Sequence, residues 1–280
     1  MPYSVLILTH NEQINIRRCL DSLSECDDVV VVDSYSQDDT ARIVRESSAR
    51  LFFRNFDSFA GQRNWAIDQV EFKHPWVLHL DADECMTPAL HAELNEVVSR
   101  DEKSAYYIAN KLIFLGRWVR HASMYPFYQA RLLRLGESRF EQIGHGQHLA
   151  FAKRGTGQLS EPYLHYNFSK GISDWLRRHN KYSSDEAERF VKGSAFSWGT
   201  LVSSFFGSQG DERQQALKSI ADRIPFRPLI RFLYLYVLKR AFLDGMAGFH
   251  YAVLVAFYDY LIRIKAKELR LAQGQGQSSS

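Results

Sequence analysis

Three carboxylates directly follow a short apolar run in the first half of the chain. Residues 76–80 (Trp-Val-Leu-His-Leu) are typical of a buried strand, so Asp81 and Asp83 are expected at its carboxyl end. Ligands of open α/β sheets bind at that end. Two acids one residue apart can share a hard divalent cation, and Mg²⁺ or Mn²⁺ prefers oxygen ligands together with substrate phosphates. The alternative interpretation is a solvated acidic turn before the helix start at Thr87.

The segments around this motif predict a parallel sheet. Strands and helices alternate, which implies right-handed crossovers, and strands that are apolar throughout fit a sheet covered on both faces. We therefore predict a nucleotide-binding α/β fold. The chain contains neither Gly-X-Gly-X-X-Gly after its first strand nor Gly-X4-Gly-Lys-Ser/Thr, which argues against dehydrogenases and P-loop proteins. The other predicted elements are strands at 3–8, 28–33 and 51–53 and helices at 14–23, 40–46 and 61–70.

Composition narrows the class of protein further. A net charge of +3 over 280 residues does not favour a nucleic-acid binder. Cys19, Cys26 and Cys85 have no metal-like spacing and cannot all pair with one another, which favours a reducing compartment. Residues 1–4 do not resemble the start of a secretory signal, so we expect a cytoplasmic protein.

The amino-acid composition changes twice in the second half of the chain. Residues 104–165 are β-rich and punctuated by glycine, and a polar helix is expected at 173–191. From residue 225 to 271 the sequence is basic, aromatic and apolar. Its longest uncharged window, residues 245–258, is shorter than the roughly 20 apolar residues of a spanning helix. Amphipathic helices at a bilayer interface fit this composition; helices packed on the core or on a second subunit are the alternative.

Together these features predict four regions. They are a catalytic domain at 1–168, a helical extension at 169–224, amphipathic helices that associate with a membrane at 225–271, and a disordered tail at 272–280.

Seven motifs in order resemble those of family 2 glycosyltransferases of the GT-A fold, in particular the lipopolysaccharide core β-1,4-glucosyltransferases that act on heptose. The resemblance covers roughly residues 3 to 250. Each motif alone is weakly specific, whereas seven in the right order and spacing are strongly specific. The motifs are Leu-Thr-His-Asn-Glu (8–12), Val-Asp-Ser-Tyr-Ser-Gln-Asp-Asp-Thr (32–40), Gln-Arg-Asn (62–64), Leu-Asp-Ala-Asp-Glu (80–84), Gly-Arg-Trp-Val-Arg-His (116–121), Tyr-Pro (125–126) and Leu-His-Tyr (164–166).

The resemblance implies a nucleotide-sugar site at the ends of the first strands. Asn11 and Glu12 could instead only cap the following helix, Asp33 could only start a turn, and Arg63 could lie on an exposed first helical turn rather than meet the nucleotide's negative charge. The implied donor-binding residues are Thr9, Asn11, Glu12, Asp33, Arg63 and Asp81.

The resemblance also implies a Mg²⁺ or Mn²⁺ cofactor. Asp83 would hold the cation that bridges the two phosphates of the donor. Asp81 would bind sugar hydroxyls or the ribose, or support the metal ligands. His165 corresponds to a late histidine near the metal or diphosphate in some GT-A enzymes, and a satisfied core histidine is the alternative.

Two further groups of residues follow from the resemblance. Arg117, Trp118, Arg120 and His121 form a basic and aromatic cluster that would contact the acceptor or the donor phosphates, the alternative being a solvated loop. Relatives carry Val-His-Glu where this chain has Ile-Gly-His-Gly (143–146), so the glutamate that could act as general base is missing. Glu141, His145 and Glu84 are the candidates for that base, and the assignment stays open among them.

The predicted function is a metal-dependent, inverting transferase that moves a hexose, most plausibly from UDP-glucose or a similar donor, to a cell-envelope glycan or lipid-linked acceptor. The enzyme is expected on the inner face of the cell membrane, attracted to anionic lipid by its basic C-terminal helices. Two rival hypotheses are a polyprenyl-phosphate glycosyltransferase and a catalytically silent protein that binds sugar nucleotides.

Overall fold

A computed structural model of the chain describes residues 2–123, 125–143, 146–192 and 226–277. The chain forms two compact units. The first comprises Met1–Trp118 and Met124–Ser169, and the second comprises Val119–Ser123 and Lys170–Ser280. The chain therefore leaves the first unit after Trp118, contributes a short segment to the second and then returns.

The first unit alternates strands and helices up to residue 100 and is then almost entirely β-structure. Its helices are α1 (Ile16–Asp21), α2 (Thr40–Arg45), α3 (Phe59–Gln69) and α4 (Pro88–Arg100). Its strands are β1 (Ser4–Thr9), β2 (Val29–Asp33), β3 (Arg50–Phe53), β4 (Trp76–Asp81), β5 (Glu84–Cys85), β6 (Ala105–Phe114), β7 (Arg117–Trp118), β8 (Tyr128–Arg134), β9 (Ser138–Ile143), β10 (Gly146–Ala152), β11 (Thr156–Gln158) and β12 (Tyr163–His165).

One twisted sheet organises this unit, with the strand order β3-β2-β1-β4-β8-β6-β12-β5. The four strands from β3 to β4 are parallel, whereas β8 runs antiparallel to both β4 and β6. Strands β7 and β11 also pair with β6, and β9 and β10 form a separate hairpin. The α/β fold class predicted from the sequence is confirmed, with the addition that the second half of the sheet is mixed. Since the strand order reverses between β1 and β4, the carboxyl ends of these two strands are where a ligand crevice is expected.

Both faces of the parallel half are covered. Val5 and Ile7 of β1 point into a core shared with α1, α2 and α4, and Leu6 and Leu8 point into a smaller core formed with α3. Successive side chains of a strand face opposite sides, so a strand that is apolar at every position can be buried on both. The uninterrupted apolar runs in the sequence have this physical cause.

Side-chain caps fix where two helices of this unit begin. The hydroxyl of Ser58 accepts a hydrogen bond from the Gly61 N–H at the start of α3. Thr87 accepts one from Leu90 N–H at the start of α4, where Pro88 occupies the first helical position. Each cap satisfies an N–H that has no partner within its helix. The first residues of α3 and α4 are therefore defined by these hydrogen bonds.

The second unit is helical. It contains α5 (Gly171–Lys192), α6 (Arg227–Leu233), a π-helical turn (Tyr234–Leu238), a 3₁₀ turn (Ala241–Asp244) and α7 (Gly245–Gln277). The ammonium group of Lys265 on α7 donates to Asn180 and Ser183 of α5 and so ties the two helices together. The helix predicted at 173–191 is observed, whereas the segment 194–206, for which no element was predicted, lies outside the described residues.

One prediction about the C-terminus is wrong. Disorder was expected from residue 272, but α7 continues to Gln277. No proline interrupts this stretch, so the established helix can continue through Gly274 and Gly276 despite their low helix propensity.

Helices α6 and α7 expose many large apolar side chains. Among them are Phe226, Leu229, Leu233, Met246 and Phe257. By length and composition alone, the stretch Ala241–Gln273 is the one candidate for a membrane-crossing helix in the described part of the chain, and the core helices of soluble proteins pass the same test.

Candidate active site

A buried aspartate joins the ends of β1 and β2. The Asp33 carboxylate is fully buried and accepts hydrogen bonds from the Thr9 hydroxyl (2.8 Å), the Ser36 N–H (2.7 Å) and the Ser36 hydroxyl (2.5 Å). The structure therefore brings together two of the predicted donor-binding residues. Asp33 holds the turn that follows β2, as the alternative interpretation expected, and its contact with a donor stays a prediction.

The loops after β1 and β2 are linked by further polar contacts. Asn11 has a positive φ of 55°, and its side-chain oxygen accepts from the Gln37 N–H at 2.8 Å. The Glu12 N–H donates to the Thr40 hydroxyl at 2.7 Å, and the Glu12 carboxylate accepts from Asn15 at 2.8 Å. Helix α1 begins only at Ile16, so Asn11 and Glu12 shape the loop rather than cap the helix.

Two arginines share the carboxylate at the end of β4. Arg63 of α3 donates from Nη2 to Oδ1 of Asp81 at 2.5 Å, and Arg131 of β8 donates from Nη2 to Oδ2 at 2.9 Å. Burial alone would raise the pKa of Asp81, but the two guanidinium groups outweigh it and hold the pKa well below its usual range. Asp81 is therefore ionised and paired on both oxygens.

A second acid, Glu84, contacts the same arginine as Asp81 and is more deeply buried. Glu84 on β5 is almost fully buried and accepts from Arg131 at 2.5 Å and from the Asp81 N–H at 2.9 Å. Burial raises the pKa of Glu84 to about 7, although Arg131 opposes the shift. Glu84 thus fixes the turn that carries Asp81 and Asp83 and has little access to solvent.

Asp83 and His165 face each other across two paired strand ends. The Oδ2 atom of Asp83 lies 3.5 Å from Nε2 of His165, and each side chain is about one quarter exposed. His165 is the register partner of Glu84 in the β5–β12 pair. Burial alone would lower the pKa of His165, but the Asp83 carboxylate outweighs it and raises the pKa to about 9. His165 is thus partly buried and paired with an acid, and whether it serves the metal or only satisfies Asp83 stays a prediction.

The donor atoms here suit a divalent cation only in part. Among the residues that the structure describes, no group of three or more His, Cys, Asp or Glu side chains is arranged to hold a metal ion. The Asp83 carboxylate and the His165 imidazole offer two ligands at an accessible edge. Mg²⁺ and Mn²⁺ are commonly bound through one or two protein groups, with substrate phosphates and water completing the coordination.

Helix α3 connects the acidic turn with the β9–β10 hairpin. Arg63, which is fully buried, donates from Nε to the Gln147 side chain at 2.6 Å. Asn64 donates to the Phe140 carbonyl and accepts from the Phe140 N–H. The alternative that Arg63 occupies an exposed first turn is wrong, because its apolar and charged neighbours enclose it. Burial lowers the pKa of Arg63 to about 10, so the side chain stays charged at neutral pH.

The three candidates for the general base differ in accessibility. Glu141 is exposed on β9, opposite His148 of β10. Glu84 is buried in the arginine network described above. His145 lies outside the described residues.

The predicted basic and aromatic cluster is divided between the two units. In the first unit Arg117 is exposed on β7, and the Trp118 ring meets Tyr125 edge-on at 5.1 Å with the Lys111 ammonium 4.7 Å from its centre. Arg120 and His121 belong to the second unit, where Asp244 accepts hydrogen bonds from the His121 ring (2.7 Å) and backbone N–H (2.8 Å). His121 therefore helps to hold the second unit together.

Sequence reasoning missed Arg131, the most connected side chain of the site. Besides the two acids, Arg131 contacts Gln129 at 2.8 Å and the Tyr163 hydroxyl at 3.4 Å. Its strand lies in the region 104–165 that was predicted to be β-rich. A usable signal was present, because an arginine inside an apolar strand needs a buried partner, and the acids at 81–84 need buried cations.

Comparisons with known proteins show the family of the chain. The family model described as Glycosyl transferase family 2 matches residues 4–151, which is more than half of the chain. The matched region begins in β1, ends in β10 and includes the three acids Asp81, Asp83 and Glu84.

Two curated relatives match nearly the whole chain. The lipopolysaccharide core biosynthesis glycosyltransferase LpsC of Rhizobium meliloti is 27% identical over 95% of this chain and 92% of its own length. An uncharacterized glycosyltransferase of Rickettsia typhi is 26% identical over 96% of this chain and 87% of its own length.

Among solved structures, the chain is similar to S. aureus TarS. The likeness to TarS residues 1–349 in complex with UDP-GlcNAc has a TM-score of 0.44 at 16% identity, covering 97% of this chain and 92% of that one. For a longer TarS chain the TM-score is 0.45 at 17% identity, and this chain spans 55% of that length.

Proposed function

The chain belongs to glycosyl transferase family 2, and from this membership we propose that it moves a hexose from a nucleotide sugar of the UDP-glucose type to a cell-envelope glycan, with inversion at the anomeric carbon. The observation that carries the proposal is the approach of Asp83 and His165 to 3.5 Å at the carboxyl edge of the sheet, beside the buried Asp81–Arg131–Glu84 network. The similarity to a lipopolysaccharide core enzyme supports an envelope glycan as acceptor.

The donor is proposed to lie across the carboxyl ends of β1 and β4. Its ribose would meet the turn held by Asp33 and Thr9, in line with the acidic residue at the end of the second strand that contacts ribose in other α/β folds. Asn11 and Glu12 would shape the loop over the nucleoside. Arg63, already committed to Asp81 and Gln147, would raise the local positive potential beneath the diphosphate without leaving its partners.

A divalent cation is proposed to bind at Asp83 and His165. Carboxylate oxygen and neutral imidazole nitrogen are ligands that Mn²⁺ accepts, so His165, whose pKa is raised to about 9, would release its proton when the cation binds. The donor's phosphates would complete the coordination. When bound, the cation would offset the negative charge that develops on the departing nucleoside diphosphate. Since both oxygens of Asp81 are paired with arginines, we assign Asp81 to sugar or ribose contact and to holding the turn, rather than to the metal.

The acceptor hydroxyl must lose a proton as it attacks the anomeric carbon. Two of the candidates for the general base are carboxylates. Glu84 is buried and bonded to Arg131, whereas Glu141 is exposed on the β9–β10 hairpin, which α3 contacts. We therefore assign the general base to Glu141 and treat Glu84 as a positioning residue for the acidic turn. A carboxylate that receives the proton while the diphosphate departs balances the charge of the reaction.

The acceptor would contact the exposed Arg117 and the ring of Trp118. Aromatic rings cover the faces of sugars, and arginine pairs with the phosphates that decorate envelope glycans.

The second unit is proposed to rest on an anionic membrane surface. Helix α6 and the turn that follows it carry Arg227, Arg231, Lys239 and Arg240 among exposed apolar side chains. A surface with interspersed basic and large apolar groups can insert into the headgroup region while its charges meet anionic lipid. This arrangement would keep the enzyme where a lipid-anchored acceptor is found.

A transfer assay tests the proposed function. Purified protein with Mn²⁺, UDP-glucose and a heptose-containing core oligosaccharide should release UDP and form a product whose new linkage is β by NMR. Asp83→Asn should release no UDP above background, and Arg42→Met, an exposed change on α2, should behave as the unmodified protein. An α-linked product, or equal UDP release by Asp83→Asn, would contradict the proposal.

A further inference from the structure

Tyr35 adopts a backbone conformation that residues other than glycine rarely adopt. Its φ is +56°, in the left-handed region, directly after the strand that ends at Asp33. For a residue with a bulky side chain this conformation costs about 1–2 kcal/mol, whereas glycine adopts it freely. A residue kept in this conformation marks a place where the side chain can serve a function.

The surrounding turn enforces this conformation. The Asp33 carboxylate accepts from both the N–H and the hydroxyl of Ser36, and the Gln37 side chain donates to the Tyr35 carbonyl at 2.9 Å. Ser34 N–H donates to the Thr9 carbonyl at 2.9 Å. The positions on both sides of Tyr35 are thus fixed, and its ring is held in a defined place at the strand end.

The ring of Tyr35 is presented to solvent rather than buried. Half of the residue is exposed, and the ring stacks on Phe53 with centroids 5.5 Å apart and planes 27° apart. Phe53 is itself 38% exposed, and the Arg45 guanidinium lies 5.6 Å from its ring centre. Two stacked rings beside a cation form a flat apolar platform with one face available.

The platform lies beside the turn held by the buried Asp33 carboxylate, which we assign to the ribose. Phe53 is the register partner of Asp33 in the β2–β3 pair. Counting from the acidic turn, the strands follow in the order β4, β1, β2, β3. A nucleotide with its diphosphate at the end of β4 and its ribose at Asp33 therefore directs its base toward β3, where the two rings lie.

We propose that Tyr35, backed by Phe53, is the stacking platform for the nucleobase of the donor, and that this role is why a tyrosine occupies a position that would suit glycine. The inference rests on the proposed function and adds to it a residue that contributes to nucleotide affinity. Base–aromatic stacking tolerates any base, so the platform supplies affinity, and discrimination among bases comes from neighbouring polar groups.

Two substitutions separate the ring from the backbone. Tyr35→Gly removes the ring and relieves the left-handed strain, so its thermal midpoint should stay within about 3 °C of the unmodified protein. Tyr35→Phe keeps the ring and removes the hydroxyl. Phe151→Ala, an exposed aromatic residue on β10, serves as the matched control for loss of a surface ring.

The measurement is calorimetric titration of the full-length protein and its variants, in Mn²⁺, with UDP, GDP and dTDP. For the nucleotides that the unmodified protein binds, Tyr35→Gly should weaken affinity about fivefold to hundredfold. Tyr35→Phe and Phe151→Ala should change it less than about twofold. Unchanged nucleotide affinity in a folded Tyr35→Gly protein would overturn the inference.

Inorganic pyrophosphate provides the internal control. Pyrophosphate has no base, so its affinity should be the same for the unmodified and Tyr35→Gly proteins. If Tyr35→Gly lost as much affinity for pyrophosphate as for UDP, Tyr35 would act on the diphosphate site instead, and the inference would be overturned. If the unmodified protein binds none of the three nucleotides, the proposed function itself fails, and the platform fails with it.

Discussion

Arg131 of β8 and Glu84 of β5 form an ion pair at 2.5 Å in which both side chains are almost completely withdrawn from water. Arg131 also meets Asp81, so one buried guanidinium holds two acids of the turn that carries Asp83. Burying charges is unfavourable unless they are paired and hydrogen-bonded. The turn therefore depends on a cation contributed by a strand about 50 residues later in the chain.

Removing that cation should destabilise the protein strongly. Arg131→Met leaves Glu84 buried without its partner, for which a loss of about 3–5 kcal/mol in the free energy of unfolding is expected. Urea denaturation measures this. Arg42→Met, at an exposed pair with Glu46 on α2, is the matched control and should change stability little. If the two variants were equally stable, the network would not support the turn.

Asp28 should make the stability of the first unit pH-dependent. Burial alone would raise the pKa of Asp28, but hydrogen bonds from Ser4 and Lys73 N–H and the ion pair with Arg50 hold the pKa below its usual value. The folded state then binds the proton less readily than the unfolded state, so the contribution is present above the ordinary pKa of about 3.9 and is lost as pH falls through the lower folded value.

Comparing Asp28→Asn with the unmodified protein by urea denaturation tests this effect. The variant should be less stable at pH 7, and the difference in unfolding free energy between the two proteins should shrink as pH is lowered below about 4. A difference that stays constant with pH would assign the effect of the substitution to packing rather than to the charge of Asp28.

Glu141→Gln should affect turnover and not donor binding. Loss of a general base typically lowers kcat by about 10²–10⁴-fold, while an exposed residue on β9 contributes nothing to the folded structure that glutamine could not replace. UDP release with saturating substrates, together with the Kd for UDP, measures both. Glu84→Gln is the comparison and should lower stability as well as turnover. A fully active Glu141→Gln protein would place the base elsewhere.

Binding to anionic vesicles should depend on the basic residues near α6. Reversing two charges with Arg231→Glu and Lys239→Glu should weaken binding to phosphatidylglycerol vesicles about tenfold or more at low salt. The control, Arg177→Glu with Lys181→Glu, makes the same change in charge on α5. Vesicle flotation distinguishes them, and equal losses in both double variants would indicate an effect of net charge alone.

The sequence predicted the parallel half of the sheet because its cause is local. Val29 to Val32 are apolar at every position, and Trp76 to Leu80 are apolar at every position except His79, a pattern typical of strands covered on both faces. Asp81 and Asp83 were correctly expected at a strand end for the same reason. Family membership and enzyme class, predicted from seven ordered motifs, are likewise confirmed.

The mixed half of the sheet and the roles of Arg131 and Tyr35 depend on contacts between residues that are distant in the sequence. Pairing of β8 with β4 joins residues 54 to 58 positions apart, such as Leu78 with Leu132 and Trp76 with Arg134, and leaves no periodicity in the sequence. The ion pairs of Arg131 follow from that pairing, so its acidic partners could be identified only once the strand order was known. Tyr35 was visible only as part of a motif, because its left-handed backbone and its stack on Phe53 appear only once β2 and β3 are in register.

A metal-assisted donor site at Asp83 is the central element of the proposed function. Calorimetric titration of the unmodified protein and of Asp83→Ala with UDP-glucose, each with and without Mn²⁺, tests it most directly. We expect binding that requires Mn²⁺ and is lost in Asp83→Ala, while the thermal midpoint of the variant stays close to that of the unmodified protein. Equally tight binding by both proteins, or binding indifferent to Mn²⁺, would contradict the assignment of Asp83.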